Sequence, residues 1–219
     1  MTTRTAASHR FPHTLSVSAH RVFLLSPAFA GGKRARLLMR EEAMFPLAQR
    51  LRSAGDVTLG EAFSFLSGLY FRGKFAYAER FARVPPGVAG SQVITTNRGL
   101  VPVGTTIGLD DLRNFGTVAI EPADPRYRLP LERDLAALSA GNDLEVILLG
   151  SVATGKYVDV LLEALGERLR FPVEFTGRGD MSRGAMMLRA VREGVELEYQ
   201  PVRGAVRRGA RPRKIGATE

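Results

Sequence analysis

Cysteine and tryptophan are both missing from the 219 residues. Without thiols there is no disulfide, no thiolate nucleophile, no zinc–cysteine site and no iron–sulfur cluster. Histidine is scarce: His9, His13 and His20 all precede the first convincing strand. A histidine base in the core is thereby excluded, and neither a metal site nor a cofactor is expected. No apolar run approaches the roughly 20 residues of a membrane helix. The first 20 residues lack the unbroken apolar stretch of a signal peptide. The chain is therefore expected to be cytoplasmic, with no membrane partner. Acid–base chemistry falls to carboxylates, lysine, tyrosine or bound water.

What is present suits one domain. Hydrophobic residues make up 45% and charged residues 24%, enough to bury a core. The net charge of +9 is unevenly placed. Residues 201–219 set Arg203, Arg207, Arg208, Arg211, Arg213 and Lys214 against Glu219 alone, while residues 21–200 are nearly balanced. This predicts a leader over 1–20, one domain over 21–202 and a basic, removable tail over 203–219. Short basic tails suit nucleic acid, because each neutralised phosphate releases counterions.

The hydrophobic pattern alternates strand and helix. Arg21–Ser26 and Leu144–Leu149 are unbroken apolar runs, as buried parallel strands require. Further strands are predicted at Ser91–Thr96, Thr117–Ile120 and Pro172–Phe175, with an edge strand at Glu196–Val202. Helical spacing covers Ala35–Met39, Phe45–Leu51, Leu59–Tyr70, Lys74–Ala82, Leu109–Phe115, Tyr157–Leu169 and Ser182–Glu193, with Pro130 starting another helix to Ala140. The expected fold is α/β, a three-layer sandwich with a mostly parallel sheet and helices on both faces. Such sheets bind ligands at the carboxyl ends of their strands. Ser26, Thr95, Gly150 and Thr176 are expected to end neighbouring parallel strands.

Three of the four lysines directly follow glycine: Lys33, Lys74 and Lys156. Glycine lets backbone N–H groups approach an anion, and lysine adds a mobile charge. Gly150-Ser151-Val152-Ala153-Thr154-Gly155-Lys156 matches the G-x-x-x-x-G-K part of a phosphate-binding loop, between an apolar strand and a helix. Tyr157 follows where a nucleotide triphosphatase needs Ser or Thr for magnesium, so the loop reads as a phosphate cradle at a helix start. In Thr176–Gly184, Arg178, Ser182 and Arg183 are candidate phosphate ligands, with Asp180 or Ser182 as a cap. Tyr70 and Phe71 beside Arg72 and Lys74 could stack a base while the cations meet phosphate, although such aromatics are more often core. Asp159 and Asp180 are the candidate acid–base pair if both face one crevice.

The order Tyr70–Ala82, Thr95–Leu100, Leu148–Tyr157 and Gly177–Gly184 resembles a family of small bacterial α/β proteins without an assigned reaction. More distantly, the layout is similar to domains compared with the peroxide-stress DNA-binding protein family. Uracil-DNA-glycosylase-like enzymes fit poorly. Ser26-Pro27-Ala28 lacks their water-activating carboxylate, and no late histidine exists.

The expected function is an enzyme acting on a nucleotide, nucleoside or nucleic acid by hydrolytic or glycosidic-bond chemistry. The Gly/Lys/Arg loops would hold phosphate, and Asp159 or Asp180 would activate water. The alternative is a non-catalytic DNA- or RNA-binding protein using the Arg-rich tail.

Overall fold

A computed structural model describes residues 20–53, 55–140 and 144–209. His9 and His13, the rest of the leader, and the tail from 210 onward lie outside the described residues. A six-stranded sheet forms the middle layer, in the order β4-β3-β1-β6-β7-β8. Its strands are β1 (His20–Leu25), β3 (Ser91–Ile94), β4 (Leu100–Pro102), β6 (Leu144–Leu149), β7 (Leu169–Pro172) and β8 (Tyr199–Pro201). β3, β1, β6 and β7 are consecutive and parallel. The short edge strands β4 and β8 are antiparallel to their neighbours. A separate antiparallel pair joins β2 (Val57–Thr58) and β5 (Thr106–Ile107).

The helices are α1 (Lys33–Met39), α2 (Pro46–Ser53), α3 (Leu59–Ser67), α4 (Leu69–Phe81), α5 (Leu109–Phe115), α6 (Pro125–Ser139), α7 (Gly155–Leu165) and α8 (Asp180–Glu193). α4 packs on α8, and α6 packs on α7. The mostly parallel α/β sandwich is the architecture expected from the alternation. β1 from Arg21 onward and all of β6 are buried. Central strands covered on both faces need that unbroken apolar pattern.

Several boundaries differ from expectation. Thr117–Ile120 is not a strand: only Val118 is buried, so the segment has no second apolar face to pair. The helix predicted from Pro130 begins at Pro125, behind Asp124, whose carboxylate accepts from the Arg126 N–H. Proline is favoured at the first helical position, and Pro125 takes it rather than Pro130. Pro130 sits inside the helix. The predicted Leu59–Tyr70 helix ends at Gly68, where φ is +63°, and α4 starts at once in a new direction. α7 stops at Gly166, also at positive φ. β7 then runs over Leu169–Pro172, and Val173–Phe175 is a 3-10 turn rather than a strand.

Opposite the strand ends that point toward Ser26, a buried ion network ties the layers. The Arg21 Nε donates to Glu145 at 2.7 Å, and Arg21 also pairs with Glu196. Arg170 reaches Glu145 at 2.8 Å, and Arg83 reaches Glu196 at 2.9 Å. The Tyr77 and Tyr199 hydroxyls meet at 2.5 Å beside it.

Candidate active site

Ser26, Thr95 and Gly150 directly follow the parallel strands β1, β3 and β6, and Thr176 follows β7 after the 3-10 turn. A cleft of about 630 Å³ opens beside the ends of β1 and β6. Its wall includes Ser26, Phe29, Lys33, Arg34, Tyr70, Ser151, Thr154, Lys156, Tyr157 and Asp180. Ile120, from the segment expected to be a strand, lines it too. The size is that of a small-molecule site.

Each wall is set by local chemistry. β1 continues its register past Leu25, so the Ser26 N–H donates to the Leu149 carbonyl and Ser26 ends at the cleft. Gly31 and Gly32 let the exposed Phe29 ring fold over the turn that starts α1. A Cβ on Gly31 would stand 2.9 Å from that ring. Lys33 and Arg34 follow at the first turn. The Arg34 guanidinium donates to the Phe65 carbonyl at 3.1 Å, bracing α1 against α3. On the far wall α7 begins directly at Gly155. Its N-cap Thr154 makes no side-chain cap bond, so the first N–H groups of α7 keep their donor capacity beside Thr154 and Lys156.

Behind Ser26 lies Lys74, which is 1% exposed. Its Nζ donates to the Ser26 carbonyl at 2.5 Å and lies 3.0 Å from Ser26 Oγ. The Tyr70 and Phe71 rings flank it, with centroids 4.4 and 4.8 Å away. Burial pushes the lysine down to about 7; the Asp180 carboxylate pulls it partly back up, and the Arg183 guanidinium adds to the fall. The Tyr157 hydroxyl donates to the Ser151 carbonyl at 2.9 Å, and the Ser26 hydroxyl donates to the Leu149 carbonyl at 3.4 Å. Burial raises this phenol, as it does the phenol of Tyr70. The Tyr70 hydroxyl is buried without a hydrogen-bond partner.

The sequence-predicted residues divide. Lys33, Tyr70, Ser151, Thr154, Lys156 and Asp180 line the cleft. Gly150 stands just behind it, where a Cβ would come within 2.8 Å of the Tyr157 hydroxyl and 2.9 Å of Ser26 Cβ. Gly155 is the first residue of α7. Asp159 is not among the lining residues. Its carboxylate folds back over Gly155 and pairs with Arg207 at 3.0 Å, so the expected Asp159–Asp180 pair is not assembled. Arg72 faces a neighbouring groove with Leu37, Phe65 and Met181. Phe71 is core. Arg183 is buried and spends its guanidinium on the Phe175 carbonyl at 2.9 and 3.1 Å, so it holds the loop before α8 rather than facing the cleft. Arg178 and Ser182 lie off the cleft, 3.5 Å from each other. The cap of α8 is Gly179, not Asp180 or Ser182.

Ser26, Tyr157, Arg34 and Phe29 are cleft residues that sequence reasoning passed over. The one signal for Ser26 was its place at the end of an unbroken apolar strand. Among the described residues no cluster of His, Asp and Glu is placed to hold a metal ion, and no helix is long and apolar enough to cross a membrane. Compared with known proteins, the chain matches no family model, no curated protein and no solved structure. Its functional reading therefore rests on the geometry of this cleft.

Proposed function

We propose that the cleft is the active site of a hydrolase for a phosphate-bearing substrate of the nucleotide class. One observation carries the reading: Lys33, Arg34 and Lys156 converge from two helix starts on the carboxyl ends of parallel strands, against Asp180 as the one carboxylate among the described lining residues. Three exposed cations, beside the uncapped N–H groups at the starts of α1 and α7, would form an anion site. Phe29, Tyr70 and Ile120 offer apolar surface for the remainder of such a molecule, with the exposed Phe29 ring free to stack a base. Asp180, exposed at the mouth, is placed to accept a proton from a water there.

The nucleic-acid reading draws less from the geometry. Arg203 pairs with Glu167, Arg207 with Asp159, and Arg208 donates to the Ala153 carbonyl, so the described arginines of the tail are tied to the fold.

Calorimetric titration with AMP and inorganic phosphate at two salt concentrations tests the proposal. Lys156→Ala is expected to weaken binding about tenfold or more, the worth of a charge-assisted contact of roughly 1.5–3 kcal/mol. Lys214→Ala is expected to leave it unchanged. Equal, salt-dependent losses in both variants would move the reading to the tail.

A further inference from the structure

We propose that Ser26 is a nucleophile and that Lys74, seated behind it, is the base that takes its hydroxyl proton. The substrate class rests on the function proposed above; the dyad itself stands on its own geometry. Ser26 lines the cleft and Lys74 does not. A bound phosphate therefore touches the serine hydroxyl while the amine stays shielded on its far side, 3.0 Å from Oγ.

The groups around the amine pull both ways: the Ser26 carbonyl, the ring faces and the Asp180 charge favour the cation, the Arg183 charge and burial favour the neutral base, and burial is the largest effect. From its own helix come the Tyr70 and Phe71 rings; from the end of β1, the Ser26 carbonyl and hydroxyl; from α8, Asp180 and Arg183. Asp180 is not within ion-pairing distance, and among the described residues no other carboxylate is. A buried ammonium without a carboxylate is costly, whereas a neutral amine hydrogen-bonded to a hydroxyl is not. Such a lysine titrates near neutrality, where a base is most effective.

The reaction balances without a further reagent. Ser26 Oγ bonds to phosphorus as the bond from phosphorus to the leaving oxygen breaks, and the hydroxyl proton passes to Lys74 Nζ. A cleft water then attacks phosphorus and passes its proton by way of Asp180 to the leaving oxygen, the Oγ–P bond breaks, and Lys74 returns its proton to Oγ. The sum is one water consumed, with an alcohol and a phosphate released.

A fluorophosphonate probe tests this on the full chain, because it forms the same Oγ–P bond and expels fluoride. The expected result is a label on Ser26, located by peptide mass spectrometry. Its rate should climb about tenfold per pH unit and level off above about 7, as the base loses its proton. Ser26→Ala should take no label, and Lys74→Met should be at least about a hundredfold slower without the levelling. Should Lys74→Met not fold, Ser26→Cys supplies a second measurement, since the chain has no other thiol. Iodoacetamide should then report a thiol titrating well below the ordinary value of about 8.5.

Unlabelled Ser26 in a chain that still binds AMP or inorganic phosphate would overturn the dyad and leave the anion cleft standing. A labelled Ser26 in a chain that binds neither would uphold the dyad and overturn the phosphate class. A label rate without the levelling, or an Ser26→Cys thiol of ordinary acidity, would overturn the role of Lys74.

Discussion

Gly73 on α4 and Gly184 on α8 bring two helix backbones into direct contact. A Cβ on Gly73 would stand 2.7 Å from the Gly184 carbonyl oxygen, and a Cβ on Gly184 would stand 2.8 Å from the Leu69 carbonyl oxygen and 2.9 Å from Tyr70 Cα. The obstructing atoms are backbone, so neither side can yield by turning a side chain. This crossing presses Lys74, the next residue along α4, toward the end of β1 and sets the Asp180 and Arg183 end of α8 beside it.

Gly73→Ala should therefore destabilise the chain, although alanine is by far the better helix former. Overpacking against a fixed backbone costs about 1–3 kcal/mol, and the gain in helix propensity returns about 1. The net effect should lower Tm by a few degrees, since about 1 kcal/mol corresponds to roughly 2–4 °C at this size. Circular dichroism melts of the two proteins check it. An unchanged or higher Tm would mean that α4 and α8 can separate freely.

Glu145→Gln should cost more, about 3 kcal/mol. Its carboxylate takes hydrogen bonds from Arg21 and Arg170, and the Arg21 and Glu145 side chains are both about nine-tenths buried. Neutralising it leaves Arg21 with Glu196 as its one carboxylate and removes the pairing that joins β1, β6 and β7 from one side. Urea unfolding monitored at several wavelengths should show a lower midpoint with an unchanged slope. The exposed Arg113–Asp110 pair on α5 gives the comparison, since breaking it should shift the midpoint little.

Stability should rise with pH between about 7 and 9. Lys74 titrates near 7 in the folded chain and near 10.4 when unfolded. Over that interval the unfolded chain holds a proton that the folded chain has released, and stability rises wherever the unfolded state binds more protons. Below about 7 both states are protonated and the folded state carries the full cost of a buried cation. Above about 10 the trend reverses, because burial holds the Tyr70, Tyr127 and Tyr199 protons on in the folded chain while the unfolded chain loses them. Urea midpoints measured through this range should climb, and Lys74→Met should flatten the climb. A flat profile in the parent protein would show that Lys74 keeps its proton when folded.

How much of this was legible in advance depends on where each cause lies in the chain. Arg21–Ser26 and Leu144–Leu149 announce themselves because strands buried on both faces have no polar position to hide them. β7 is masked by Arg170, a charged residue in mid-strand that is tolerated because it reaches Glu145 on the neighbouring strand. The glycine–lysine pattern marks residues that the fold brings to one region. Lys33 and Lys156 share the cleft, and Lys74 stands behind it. What no local pattern could reveal is that Lys74 is buried. Its helix reads as amphipathic, and its partner Ser26 lies 48 residues earlier. Asp159 was misplaced for a related reason, since the arginine that claims it belongs to the tail.

Both flanks of the sheet end in three-residue strands, and each of these closes on a proline, Pro102 in β4 and Pro201 in β8. Proline offers no N–H to an incoming strand. An extended segment of another chain that approached either flank would find a ladder too short to hold it and one rung without a donor. The device protects against self-stacking as concentration rises, and it operates where the chain has no cysteine to cross-link a chance encounter.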